Sequence, residues 1–286
     1  MLIAAYSLNA LLMLLIPILL GIFLARKYHL SWRLFLFGGV AFILSQVIHL
    51  PLNLALARLI PEVGSGGVVW MQALTFGFTA AICEESARYL ILRYGLKDAR
   101  SWKSALMYGA GHGGFEAMIL GVLSGLAIVN MMALKDNPAL LAAVPAEQAD
   151  LVKQQVAAFW STPWYLALMG AVERASALTI QISLAVIVMQ AFLRKNKSWL
   201  LIAIGWHWLV DAASVLSVSH FSIPVTELII GGLALISLAI IFYFKSTASE
   251  DATPPRDAAP REPLPVEALN FSPPTDKLDD SRYRSA

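Results

Sequence analysis

Long apolar stretches dominate this chain and restrict the folds that it can adopt. Of its 286 residues, 58% are hydrophobic and only 14% are charged, and the mean hydropathy is +0.67. An α-helix needs roughly 20 apolar residues to cross a bilayer. Seven stretches meet that length, near residues 3–25, 33–57, 68–93, 103–134, 163–193, 198–219 and 224–244. The sequence therefore predicts an all-α, polytopic membrane bundle of about seven transmembrane helices.

Basic residues at the ends of these stretches predict how the chain crosses the membrane. They cluster at alternate connections and after the last stretch: Arg26, Lys27, Arg33, Arg93, Lys97, Arg100, Lys103, Arg194, Lys195, Lys197 and Lys245. Because Lys and Arg concentrate on the cytoplasmic side, we expect a multi-pass cell-membrane protein with its N-terminus outside and its C-terminus in the cytoplasm. The first stretch has no basic segment before it, which favours a retained span over a secretory signal.

Two segments outside the spans have their own character. Residues 145–160 have a helical pattern, and they are expected either to lie along the interface, anchored by Trp160 and Trp164, or to cover a site as a lid. After Lys245 the chain is rich in proline and polar residues. We therefore predict a transmembrane domain at 1–245 and a disordered cytoplasmic tail at 246–286.

Two remaining properties of the composition exclude other classes of protein. The net charge of +2 is too small to argue for nucleic acid as a partner. Cys83 is the single cysteine of the sequence, so the fold is not a disulfide framework. We expect Cys83 to be a small buried hydrophobe.

Ionisable residues lie inside the predicted spans, where charge is costly and usually functional. They are Glu84, Glu85, Arg88, His112, Glu116, Glu173, Arg174, His207 and Asp211. At a rise of 1.5 Å per residue, Glu84, His112 and His207 each lie roughly 14 Å from the cytoplasmic end of their span. Three helices are therefore expected to bring polar groups to one level. The other histidines lie near span ends or interfaces and are expected to be hydrogen-bonded packing residues: His29, His49 and His220.

The charges of this set do not balance. Five carboxylates and two arginines leave a formal charge of −3, which a low dielectric does not tolerate unless carboxylates are protonated, water enters or a cation binds. Each of the two histidines has a carboxylate four residues later on the same helix face. Histidines with carboxylates suit zinc, and one more carboxylate can serve as general base toward a water. The predicted metal ligands are His112, Glu116, His207 and Asp211.

Three short motifs lie in this region: Glu84-Glu85-Ser86-Ala87-Arg88, Tyr108 with Gly111-His112-Gly113-Gly114-Phe115-Glu116, and His207 with Asp211 four residues later. In their order and spacing they resemble the YhfC family of intramembrane metalloproteases. That family belongs to the larger superfamily of CAAX-processing and bacteriocin-processing membrane proteases and PrsW. The resemblance covers about residues 68–215.

The resemblance implies a site that hydrolyses a peptide bond with a glutamate-activated water. In that superfamily the glutamate of the first motif activates the water, and the histidines position water or metal and stabilise the oxyanion. The implied catalytic residues are Glu84, Glu85, Arg88, His112 and His207. Either glutamate is the base, and an arginine, Arg88 or Arg174, holds a carboxylate or the substrate backbone. Glu173 and Arg174 line the site or pair with it.

Two departures from the CAAX proteases limit what can be carried over. Arg88 follows the glutamate pair after two residues, where those proteases have three, and Asp211 stands where they commonly carry asparagine. Their substrate class is therefore not transferred to this chain. The expected partners are the lipid bilayer and a membrane protein or membrane-bound peptide.

The predicted function is a zinc-dependent intramembrane endopeptidase, and three alternatives stay open. In the first alternative, a glutamate activates the water without a metal. In the second, the chain is a non-catalytic scaffold of the same superfamily. The third alternative is a proton- or metal-coupled transporter, which also needs carboxylates and histidines near the midplane.

Overall fold

A computed structural model describes residues 1–60, 66–137, 139–140 and 143–251. All regular secondary structure in these ranges is helical. The helices are α1 (Leu2–Tyr28), α2 (Trp32–Ala57), α3 (Gly66–Gly95), α4 (Trp102–Asp136), α5 (Ala146–Ser161), α6 (Met169–Leu193), α7 (Ser198–His220) and α8 (Ile223–Asp251). A 3-10 turn, Leu166–Leu168, leads into α6. The predicted tail lies outside the described residues from 252 onward.

Seven helices of the described chain are long and apolar enough to span a membrane. The spanning segments are Leu2–Tyr28, Trp32–Ala57, Gly67–Gly95, Trp102–Lys135, Leu166–Leu193, Ser198–His220 and Ile223–Lys245. Each end of these segments lies within about three residues of a predicted one, because the length of an apolar run sets the length of a spanning helix. The prediction of an all-α, seven-span membrane protein is confirmed.

The short helix α5 corresponds to the predicted helix at 145–160. None of its residues is buried, and it contacts the bundle through aromatic rings. Phe159 stacks on Tyr6 of α1 with ring centroids 4.3 Å apart, and Lys135 at the end of α4 lies 3.8 Å from the ring centroid of Trp160. These contacts fix α5 at the end of the bundle where α1 begins and α4 ends.

The basic connections meet at the opposite end of the bundle. Arg33 Nη2 donates a hydrogen bond of 2.9 Å to the carbonyl oxygen of Gly95, which links the start of α2 to the end of α3. Lys103 lies 5.6 Å from the ring centroid of Tyr28, and Lys245 lies 5.8 Å from that of Trp102. The positive charges that the sequence places at alternate connections therefore share one end.

Helix α6 forms the centre of the bundle. Residues 180–191 are all buried, as expected for a helix that packs against neighbours on every side. The side chains of Ser183 and Gln190 donate hydrogen bonds to backbone carbonyl oxygens of the same helix, at 2.7 Å and 3.3 Å. Gln181 is different, because its side chain leaves the helix and joins the polar cluster described below.

Glycines allow α4 to pack closely against its neighbours. A Cβ atom added to Gly111 would lie 1.9 Å from the carbonyl oxygen of Phe35, and one added to Gly38 would lie 2.1 Å from that of Tyr108. On another side of α4, a Cβ on Gly113 would lie 2.8 Å from Cβ of Gln181. Backbones thus meet α4 at distances that only glycine permits, and His112 lies between these contacts.

We predict that Gly111→Ala destabilises the protein by about 1–3 kcal/mol or more, because two helix backbones must separate to admit the methyl group. Gly125→Ala on the same helix is the matched control, since nothing lies within 4 Å of its added Cβ. Thermal unfolding in detergent micelles measures both. Equal melting temperatures for the two variants would contradict the close crossing of α2 and α4.

Candidate active site

Ionisable side chains from α3, α4 and α7 meet in one buried cluster. Oε2 of Glu84 lies 3.1 Å from Nε2 of His112 and 3.9 Å from Nε2 of His207. Nε2 of His207 also lies 3.5 Å from Oδ2 of Asp211. The three helices that the depth argument placed at one level do bring these side chains together.

Glu85 is completely buried and is held from two sides. Arg88 donates to it twice, from Nε to Oε2 at 2.9 Å and from Nη2 to Oε1 at 3.3 Å. Nδ1 of His207 lies 2.8 Å from the same Oε1. Because a carboxylate accepts hydrogen bonds, His207 carries a hydrogen on Nδ1, and its Nε2 faces Glu84 and Asp211. Glu85 therefore orients His207.

Glu84 occupies the centre of the cluster and accepts hydrogen bonds from three other helices. Nε2 of Gln46 on α2 donates to Oε1 at 3.2 Å, and Nε2 of Gln181 on α6 donates to Oε2 at 3.3 Å. Nε2 of His112 on α4 is the third partner. Each of these groups can offer a hydrogen, so the carboxylate of Glu84 is fixed as an acceptor.

Gln181 connects this centre to a second group of charges. Its Nε2 also donates to Oε2 of Glu116 at 3.2 Å, while its side-chain oxygen accepts from Nη2 of Arg88. Arg174 then pairs with Glu116 at 2.6 Å through Nη1 and with Glu173 through Nη2. One amide thus joins the two arginine-containing parts of the site.

The arginines divide the carboxylates into two kinds. Arg88 forms a salt bridge with Glu85, and Arg174 forms salt bridges with Glu116 and Glu173. Glu84 and Asp211 have no Arg or Lys at salt-bridge distance among the residues that the structure describes. Because Arg174 faces two carboxylates, one of the three excess negative charges stays with that group. The other two fall on Glu84 and Asp211, the carboxylates nearest the histidines.

A cavity of about 150 Å³ lies beside these side chains. Its polar wall consists of Glu84, Glu116, Glu173, Arg174, Gln181, His207, Asp211 and Ser214. The volume holds a few water molecules at about 30 Å³ each. Helices α3, α4, α6, α7 and α8 supply the described lining residues, so α5 does not form a wall of this cavity.

Two of these partners were missed by the sequence analysis, namely Gln46 and Gln181. Ionisable residues stand out in an apolar span because their charge is costly there, whereas the side-chain amide of a glutamine carries no charge. A signal was available for Gln46, because Gln46, His49 and Asn53 form a polar stripe at helical spacing on an otherwise apolar span. No comparable pattern surrounds Gln181.

Comparison with known proteins agrees with the motifs. The sequence model of the YhfC intramembrane metalloprotease family matches residues 12–247. The chain belongs to the YhfC family. A relative described as "Uncharacterized membrane protein YhfC", from Bacillus subtilis (strain 168), is 31% identical over 210 residues, which are 71% of this chain and 80% of the relative. No solved structure matches the chain significantly.

The YhfC family description implies a metal, and the chemistry of the site suits one. Among the described residues no three His, Cys, Asp or Glu side chains already form a metal-binding group. His207 nevertheless has the arrangement of a metal ligand, because its Nδ1 hydrogen goes to a carboxylate and its Nε2 is left facing Asp211 and Glu84. His112 is not oriented for metal binding in the same way, since its buried Nδ1 has no hydrogen-bond partner in the described part of the chain.

We predict that Arg88→Met destabilises the protein by about 3–5 kcal/mol, because it leaves the Glu85 carboxylate buried without its arginine. The double variant Glu85→Gln/Arg88→Met should recover part of this loss, since a neutral amide replaces the stranded charge while still accepting from His207. Arg93→Met, an exposed change on the same helix, is the control. Melting temperatures in micelles give the comparison, and a double variant no more stable than Arg88→Met would contradict it.

Proposed function

We propose that this chain is a peptide hydrolase that acts within the cell membrane on a membrane-bound polypeptide. The observation that carries the proposal is Glu84, a buried carboxylate without an arginine or lysine partner among the described residues, on the wall of a polar cavity. A carboxylate in that position can take a proton from water. The description of the YhfC family as intramembrane metalloproteases supports the same reaction.

In the proposed reaction, Glu84 accepts a proton from a water in the cavity, and the hydroxide oxygen adds to the peptide carbonyl carbon. The carbon–nitrogen bond then breaks, and the proton held by Glu84 passes to the leaving nitrogen. One water is consumed, and a carboxylic acid and an amine are produced. Gln46 and Gln181 keep the carboxylate aimed during both transfers.

His207 and His112 are assigned to the developing negative charge on the substrate oxygen, and His207, His112 and Asp211 are assigned to the metal. A zinc ion held by these three side chains would acidify the water and polarise the carbonyl group. Glu116, which the sequence analysis placed among the ligands, is assigned here to Arg174 and Gln181, because both of its oxygens are engaged by them. Glu85 and Arg88 act through His207, whose ring they orient.

The proposed orientation follows from the basic end of the bundle. Lys and Arg favour the cytoplasmic side, so the end that carries Arg33, Lys103 and Lys245 would face the cytoplasm. The N-terminus and α5 would then lie on the outer side.

We predict that Glu84→Gln lowers the rate of peptide cleavage by about 10²- to 10⁴-fold, because the base is replaced by a group of the same shape that takes no proton. Fluorescein-labelled casein and a panel of single-span membrane peptides, each in detergent micelles, serve as probes. Glu147→Gln, an exposed change on α5, is the control. Equal rates for wild type and Glu84→Gln, or no cleavage of any probe by the wild type, would contradict the proposal.

We predict that the purified protein contains about one zinc ion per chain and that His207→Ala and Asp211→Ala lose it, because each removes a ligand. Elemental analysis of the protein measures the content. His220→Ala is the control, since His220 is exposed and contacts the carbonyl oxygen of Leu216. A fully active wild type that contains no metal would replace the zinc assignment with water activated by Glu84 alone.

A further inference from the structure

A line of polar side chains on α2 leads to Glu84. Oε1 of Gln46 lies 3.2 Å from Nδ1 of His49, and Nε2 of His49 lies 2.8 Å from Nδ2 of Asn53. Oγ1 of Thr79 on α3 lies 2.7 Å from Oδ1 of Asn53. Together with the bond from Gln46 to Glu84, these contacts form a continuous chain of hydrogen bonds through the membrane-spanning part of α2.

The orientation of Gln46 is fixed by its other contacts. Oγ of Ser45 donates to the carbonyl oxygen of Phe42 at 2.6 Å, so it accepts from Nε2 of Gln46 at 3.2 Å. The second hydrogen on the same nitrogen goes to Glu84. With both amide hydrogens used, the oxygen of Gln46 is the atom that faces His49, and it needs a donor.

The direction of every other bond in the chain follows. Nδ1 of His49 must carry a hydrogen to reach Gln46, and its Nε2 then accepts from Nδ2 of Asn53. This leaves Oδ1 of Asn53 to accept from the hydroxyl of Thr79. That hydroxyl lies nearer to Asn53 than to the carbonyl oxygen of Phe76, which is 3.0 Å away. All bonds therefore donate toward Glu84.

We propose that His49 and Gln46 are positioning residues for the proposed general base, with His49 held as the neutral Nδ1–H tautomer. The proposal rests on the proposed function only for its effect on catalysis. His49 was expected to be a hydrogen-bonded packing residue. Both of its ring nitrogens do have polar partners, and the line of these partners ends on Glu84. Polar side chains in a membrane helix need such partners, because lipid offers none.

The loss of His49 would act on Glu84 through Gln46. Without the donor at Nδ1, the amide oxygen of Gln46 loses its hydrogen-bond partner, and the amide is held by Ser45 and Glu84 alone. Gln46 then holds the carboxylate of Glu84 less rigidly. A displacement of a catalytic group by about 1 Å can lower the rate by about 10²-fold, while binding of substrate elsewhere is unaffected.

The tautomer is tested directly by nuclear magnetic resonance of wild-type protein labelled with ¹⁵N-histidine in micelles. His49→Asn assigns the His49 signals by their disappearance. The nitrogen shifts of His49 are expected to show a neutral ring with hydrogen on Nδ1, and Gln46→Leu should shift them toward the Nε2–H form. A wild-type His49 with hydrogen on Nε2 would overturn the proposal. This measurement requires no cleavage, so it stands apart from the proposed function.

Kinetics test the effect on the base with the labelled casein probe. His49→Leu is expected to lower kcat by at least about tenfold without changing KM. His49→Asn should recover most of the rate, because its amide nitrogen takes the place of Nδ1. His220→Leu is the matched control on α7. Wild-type kcat for His49→Leu would overturn the positioning role, and so would equal losses in His49→Leu and His49→Asn.

Discussion

The buried pair of Arg88 and Glu85 is the interaction on which the rest of the site depends. Both side chains are completely inaccessible to solvent, so neither charge is stable without the other. Arg88 also donates to the backbone and side-chain oxygens of Gln181 on α6. Glu85 in turn holds His207 on α7. One ion pair on α3 thereby fixes the rotation of two neighbouring helices relative to the site.

The carboxylates of the site differ in whether an arginine pairs with them. An arginine holds a carboxylate in its charged, hydrogen-bonded form, so Glu85, Glu116 and Glu173 are suited to structure and positioning. Glu84 and Asp211 are bounded by imidazole and amide groups instead. Among the described residues no arginine offsets the charge of these two carboxylates, so a proton or a cation has to balance it. The chemistry is assigned to them for that reason.

The sequence was sufficient to predict the spans and the meeting of the motifs. Span length depends only on local apolar composition, and Glu84, His112 and His207 share a depth because helical rise is constant. The partner of each carboxylate was not predictable, since it depends on the rotation of one helix against another. Glu84 and Glu85 are adjacent in the chain, but their side chains lie about 100° apart on α3. One therefore faces the cavity, and the other faces Arg88.

Neutral donors around Glu84 explain how the proposed base is held in place inside a membrane. Gln46 and Gln181 aim its two oxygens from opposite helices, yet neither supplies a formal charge that would hold a proton away. The placement depends on the distance between α2, α4 and α6, which the glycine contacts of α4 keep short. The residues that place the Glu84 carboxylate are therefore amides and glycines. They carry no charge, so they do not stand out in an apolar span as ionisable residues do.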